Sequence, residues 1–129
     1  MPTLTRMNRL VALVVPGGPA FVDELRRAWD DGDAVLPVDL RLPRAGRDEL
    51  ISELGASVVV DETGRHERSG RPVEPGDALV VATSGSTGVP KGVILTYDAV
   101  AASAQATNAA LGATAADHWL ACLPLSHVG

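Results

Sequence analysis

Ala78-Leu79-Val80-Val81-Ala82-Thr83-Ser84-Gly85-Ser86-Thr87-Gly88-Val89-Pro90-Lys91-Gly92-Val93-Ile94-Leu95 reads as an apolar segment, a polar glycine-rich loop and a second apolar segment. Residues 78–82 are short, branched and apolar, which predicts a buried strand, and Val93-Ile94-Leu95 resumes that pattern. Gly85, Gly88 and Gly92 permit close backbone approaches that side chains forbid. Thr83, Ser84, Ser86 and Thr87 add hydroxyls, and Lys91 adds a positive charge. Exposed amides, hydroxyls and one lysine suit the cradling of a phosphate chain. The same composition also describes a flexible surface turn. With strand on both sides, the stretch is a strand–loop–strand clamp, in which loop donors rather than a helix dipole would hold an anion.

Two other phosphate loops do not fit. A Walker A loop ends Gly-Lys-Ser/Thr, whereas Lys91 lies between Pro90 and Gly92. The dinucleotide fingerprint needs a glycine where Thr83 stands.

Upstream, Leu10 to Val15 is a branched apolar run closed by Pro16-Gly17-Gly18-Pro19, a strand and its turn. Phe21, Val22, Leu25, Ala28 and Trp29 recur at helical spacing until Asp31-Gly32-Asp33. Ala34–Val38 predicts a second strand, Glu49–Leu54 a second helix ended by Gly55, and Val58–Val60 a third strand. Such alternation is the mark of an α/β fold with a mostly parallel sheet and flanking helices. Residues 61–76 break the rhythm with Gly64, Gly70, Pro72, Pro75 and Gly76, and read as a solvated connector. An anion partner for Arg65, Arg68 and Arg71 is the lesser alternative. Past the loop, the Ala-rich stretch Asp98–Leu111 predicts a helix stopped by Gly112, and Trp119–Leu123 a last strand. The organisation is thus an α/β lead-in over 1–60, the connector over 61–76 and a phosphate-loop region over 77–129.

Composition narrows the function. The 129 residues suffice for one small domain. With 16 acidic against 11 basic residues and a net charge of −5, nucleic-acid binding is disfavoured. A lone Cys122 excludes an internal disulfide, and its apolar flanks predict an inert core residue. His66, His118 and His127 share no ligand spacing with it, so no metal site is expected. Aromatic residues are only 3%, so the core must be aliphatic, with Trp29, Tyr97 and Trp119 as packing residues. The Leu10–Pro16 run is too short for a secretory core, and no stretch reaches membrane-span length, so a cytoplasmic location is expected.

Thr83 to Val93 closely resembles the AMP-binding signature of the adenylate-forming superfamily, which includes acyl-CoA synthetases, peptide-synthetase adenylation domains and luciferases. Leu123-Pro124-Leu125-Ser126-His127-Val128-Gly129 resembles the family's next core block. Ala34 to Pro43 resembles the segment where many members read P-L-D-P-x-x-P. The resemblance implies the N-terminal subdomain of that fold and a reaction of ATP with a carboxylic acid to give an acyl-adenylate and pyrophosphate, followed in ligases by transfer to coenzyme A. It implies that Ser84, Gly85, Ser86, Thr87, Gly88 and Lys91 close on the β- and γ-phosphates, with Lys91 and Thr87 stabilising charge on the leaving pyrophosphate. Thr83 would face phosphate or Mg2+, or else pack at the strand end. Three glycines predict a loop that moves until nucleotide arrives.

His127 follows a strand end, where sheet folds gather site residues, and in the resembling family the matching histidine lines the carboxylate and nucleotide pocket. Ordinary packing is its alternative role. The early signature and the Ala-rich helix look most like 2-succinylbenzoate–CoA ligases. The Thr-Glu motif for Mg2+, the ribose aspartate, the hinge arginine and the C-terminal lysine of the family have no match in this chain. The chain by itself is therefore expected to be inactive, as the front of a longer ligase. A nucleotide- or CoA-binding module and a vestigial α/β fragment are the alternatives. On the first view, residues 78–82 and 119–123 are half-covered by later elements.

Overall fold

The computed structural model describes residues 6–83 and 88–127. Its elements in chain order are β1 (Leu10–Leu13), α1 (Pro19–Asp30), β2 (Ala34–Pro37), α2 (Arg44–Leu54), β3 (Val58–Asp61), β4 (Gly64–Glu67), β5 (Asp77–Thr83), β6 (Lys91–Thr96) and α3 (Tyr97–Leu111). They build a six-stranded sheet in the order β4-β3-β1-β2-β5-β6. The four inner strands are parallel, and each edge is closed by an antiparallel hairpin.

The two-residue period of a strand explains how the sheet is covered. Leu10 and Ala12 of β1 point to the face packed by Leu50 and Ile51 of α2, together with Leu36, Val59 and Val80. Val11 and Leu13 point to the opposite face, packed by Phe21 and Ala28 of α1 with Val35, Val58 and Val60. Continuous apolar runs, not alternating ones, result because both faces are buried. Proline at the first turn of α1 suits the fixed φ of that position. Helix α3 starts where the Thr96 hydroxyl accepts the Ala99 N–H at 3.2 Å, and none of its residues is buried.

Asp33, fully buried before β2, is satisfied on both oxygens. Oδ1 accepts the Arg9 backbone N–H at 2.8 Å, and Oδ2 meets the guanidinium of Arg6 at 2.7 Å and of Arg9 at 3.4 Å. Arg9 also reaches Glu67 of β4 at 3.0 Å, tying the start of β1 to the far hairpin. Trp29 and Tyr97 meet edge to face with centroids 5.4 Å apart. Trp29 donates to the Ala78 carbonyl at 2.9 Å and the Tyr97 hydroxyl to that of Asp33 at 3.2 Å, so both serve the packing expected of them.

Four expectations are corrected. Residues 61–76 are not irregular throughout, since Gly64–Glu67 pairs with β3 from Val58↔Glu67 to Asp61↔Gly64. Its arginines face internal partners, Arg65 with Glu24 at 3.6 Å and Arg71 with the Glu53 carbonyl at 2.6 Å. Trp119–Leu123 forms no strand. Trp119, Leu120 and Leu123 are 64%, 86% and 60% exposed, and among the described residues no strand pairs with them. Cys122 in that stretch is exposed rather than a core residue. Finally, β5 is covered within this chain more than expected: Ala78, Val80 and Val81 are buried, while Leu79 and Ala82 stay partly exposed.

Candidate functional site

Parallel strands end together, and the loops leaving those ends share one rim. Here β1 runs out at Leu13, β2 at Pro37 and β5 at Thr83, while β6 returns to the same rim at Lys91. The strand–loop–strand arrangement expected for 78–95 is therefore present. Thr83 and Lys91 are partners in the ladder, and the Thr83 hydroxyl donates to the Lys91 carbonyl at 3.3 Å, pinching the neck of the loop. Ser84, Gly85, Ser86 and Thr87, named above as phosphate ligands, lie outside the described residues.

Two of the loop's glycines have distinct physical reasons. Gly88 has φ +78°, the left-handed region that a side chain disfavours. Gly92 has no such angle. A Cβ there would stand 2.7 Å from Val80 Cγ1 and 3.1 Å from Leu54 Cδ2, so packing of α2 across the sheet demands it rather than loop motion.

The rim encloses a cavity of about 630 Å3 lined by Pro37, Asp39, Leu42, Leu50, Ala82, Thr83, Gly88, Pro90, Ser126 and His127. Thr83, Gly88 and His127 are thus brought to one cavity although their sequence positions are far apart. Lys91 lies at its neck with an exposed side chain and is not among the lining residues. Beside this cavity a smaller one of about 240 Å3 is almost wholly apolar, lined by Phe21, Leu25, Leu79, Val81 and Leu125, and His127 borders both.

Sequence reasoning missed the partners of His127. Asp39 and Arg41 follow β2, and their pairing is tight. Arg41 donates from its backbone N–H to Asp39 Oδ1 at 2.9 Å, from Nε to Oδ1 at 3.0 Å and from Nη2 to Oδ2 at 2.8 Å. These bonds from Arg41 hold the Asp39 carboxyl well below the usual carboxylate range. The same carboxylate raises the proton affinity of Arg41. His127 Nε2 lies against Arg41 Nη2 and 3.2 Å from Asp39 Oδ2. The available signal was the Pro37-Val38-Asp39 segment, noted for its resemblance but given no chemistry. His66 also has partners, Thr63 Oγ1 at 2.8 Å and Asp61 Oδ1 at 3.2 Å, in the turn between β3 and β4. The hydroxyl and backbone N–H of Thr63, followed by His66, lower the Asp61 carboxyl to about 2.

Comparison with known proteins bears on the family and the fold. The family described as AMP-binding enzyme matches residues 10–129. A probable non-canonical nonribosomal peptide synthetase, CymA of Salinispora arenicola, is 39% identical over 112 residues, 81% of this chain and 1% of that protein. The 2-succinylbenzoate–CoA ligase of Bacillus cytotoxicus is 54% identical over 50 residues, 39% of this chain and 10% of the ligase. Among solved structures, the Bacillus subtilis o-succinylbenzoate CoA synthetase in complex with ATP and magnesium ion superposes with TM-score 0.77 at 22% identity. That match covers 95% of this chain and 40% of the synthetase, and it establishes the fold. The E. coli MenE is 26% identical with TM-score 0.74, over 94% of this chain and 30% of that one. The chain therefore spans well under half the length of the proteins it matches.

Proposed function

The chain belongs to the AMP-binding enzyme family, with the α/β architecture of the N-terminal subdomain of adenylate-forming enzymes, and on that premise we propose that it supplies the phosphate clamp of an ATP-dependent acid–CoA ligase. In this reading Thr83, Ser84, Gly85, Ser86, Thr87, Gly88 and Lys91 hold the β- and γ-phosphates of ATP. Lys91 and Thr87 stabilise the charge that gathers on pyrophosphate as the carboxylate attacks the α-phosphorus. His127 lines the place where carboxylate and nucleotide meet. The observation that carries the reading is the pinched β5–β6 neck, Thr83 to Lys91, opening on the cavity that His127 also lines.

A left-handed glycine and an ammonium group at that neck fit a polyphosphate, and the Thr83 hydroxyl would turn its one hydrogen from the Lys91 carbonyl to the ligand. Mg2+ enters with the nucleotide in this reading. Among the described residues no group of three or more His, Cys, Asp or Glu side chains is placed to hold it. CoA as acceptor rests on the similarity to 2-succinylbenzoate–CoA ligase, and with it an aryl carboxylic acid as substrate class. The longer alignment to CymA favours a second reading, adenylation within a peptide synthetase. Among the described residues no helix is long and apolar enough to cross a membrane, and we propose a cytoplasmic setting.

Two measurements test this. Titration calorimetry of the chain with Mg–ATP is expected to show binding that Lys91→Ala weakens, and equal affinity in both proteins would overturn the clamp. A panel of aryl acids and amino acids, assayed for acid-dependent pyrophosphate release with and without CoA, separates the ligase from the peptide-synthetase reading. The chain alone is expected to release none, so the panel uses two fusions, one to the remaining portion of a 2-succinylbenzoate–CoA ligase and one to that of a peptide-synthetase adenylation domain, and the reading favoured is the one whose fusion is active.

A further inference from the structure

His127 sits between two oppositely charged groups that compete for one nitrogen. Guanidinium groups carry donors only, and carboxylates accept only. Nε2 therefore cannot satisfy Arg41 and Asp39 at once while the ring is neutral: toward Arg41 it must offer a lone pair, toward Asp39 a proton. The remaining contacts decide which. Asp39 is already served by three donor groups of Arg41, its backbone N–H, Nε and Nη2. Arg41 Nη2 has two hydrogens, one directed to Asp39 Oδ2 at 2.8 Å and the other free for the ring. The 3.2 Å separation between His127 Nε2 and Asp39 Oδ2 is then proximity and not donation.

We propose that Asp39 and Arg41 are positioning residues that fix His127 as the Nδ1–H tautomer, with Nε2 bound to Arg41, so that the ring nitrogen left for a ligand is a hydrogen-bond donor. Asp39 acts through Arg41. By clamping the guanidinium at both carboxylate oxygens, it aims the second Nη2 hydrogen. A neutral ring that donates suits an anionic oxygen, a carboxylate or a phosphate, in the cavity that His127 lines. A ring presenting a lone pair would repel it. The role toward substrate rests on the nucleotide-binding reading above, but the tautomer does not. Among the described residues Asp39 and Arg41 are the charged groups that touch the ring, and both come from the segment after β2, 88 and 86 residues away.

The test is long-range 1H–15N correlation of the chain labelled at histidine nitrogen, recorded where the ring is neutral, with His127 assigned by its loss in His127→Gln. The wild type is expected to show a dominant Nδ1–H tautomer. Arg41→Met, which keeps the length and removes every donor, is expected to shift the ring to the Nε2–H tautomer, now free to donate to Asp39. Arg41→Lys should restore part of the Nδ1–H form. The His66 resonance, held by Asp61 and Thr63, reports in each spectrum that the fold is intact. A ratio unchanged between wild type and Arg41→Met with His66 in place overturns the proposal, as does a dominant Nε2–H tautomer in the wild type. Should Arg41→Met unfold, Asp39→Asn and Arg41→Lys give the same reading through partial shifts. Addition of Mg–ATP to the same samples tests the nucleotide reading separately, so the two can fail independently.

Discussion

Thr83 and Lys91 face each other across the last rung of the β5–β6 ladder, where the threonine hydroxyl donates to the lysine carbonyl at 3.3 Å. The bond sets the spacing of the two strands where the loop between them begins. In the proposed clamp, loop donors would gain from such a neck because less ordering would be left to be done when a ligand arrives.

Lys91→Ala should lower the affinity for Mg–ATP by about tenfold or more, the scale of one charge-assisted hydrogen bond at about 1.5–3 kcal/mol. Titration calorimetry measures it. Because Lys91 is exposed, the unfolding midpoint should stay within about 0.5 kcal/mol of wild type.

Gly92→Val should behave in the opposite way. Its first added carbon would stand 2.7 Å from Val80 Cγ1 and 3.1 Å from Leu54 Cδ2, so overpacking should cost about 1–3 kcal/mol in urea denaturation. Gly88→Val has open space but a strained φ of +78°. It should weaken ATP binding with a smaller stability loss, about 1–2 kcal/mol. Equal stability losses at the two glycines would contradict the distinction drawn between them.

Asp33→Ala should be the most damaging substitution outside the apolar core. It strips the partner from Arg6 and Arg9 and from the Arg9 backbone N–H. Hydrogen bonds to a charged group are worth about 1.5–3 kcal/mol each, but both arginine side chains retain some access to water. A net loss of about 2–3 kcal/mol is expected by urea titration.

The turn between β3 and β4 carries an acid-sensitive contact. The folded state lowers Asp61 from 3.8 to about 2, chiefly through Thr63. The folded hairpin therefore binds fewer protons than the unfolded chain near pH 3. Its contribution is full above the unfolded value and is lost as pH falls through about 2. Carboxyl 13C titration of Thr63→Val should show Asp61 moving up toward 3.8, while an unmoved midpoint would dismiss the Thr63 hydroxyl as the main cause.

The sheet interior was legible in the sequence because strands buried on both faces must be apolar throughout, and Leu10–Leu13, Ala34–Val38, Val58–Val60 and Ala78–Ala82 are. Edge β4 was not. Gly64-Arg65-His66-Glu67 covers no core, so its side chains carry no period, and only pairing with β3 makes it a strand. Trp119–Leu123 failed in the reverse sense. Apolar character is necessary for a buried strand but does not supply the neighbour whose N–H and C=O groups complete the ladder.

By itself the sequence determined the α/β class and the position of the glycine-rich loop between two strands. Both depend on residues within a few places of one another, where backbone preference and hydrophobic period act. Tertiary structure alone decided that Gly92 yields to Leu54, that Asp33 answers Arg6 and Arg9, and that His127 meets Asp39 and Arg41 across 88 and 86 residues. Side-chain contacts at that separation follow from where the strands end in space, and a local pattern carries no record of that.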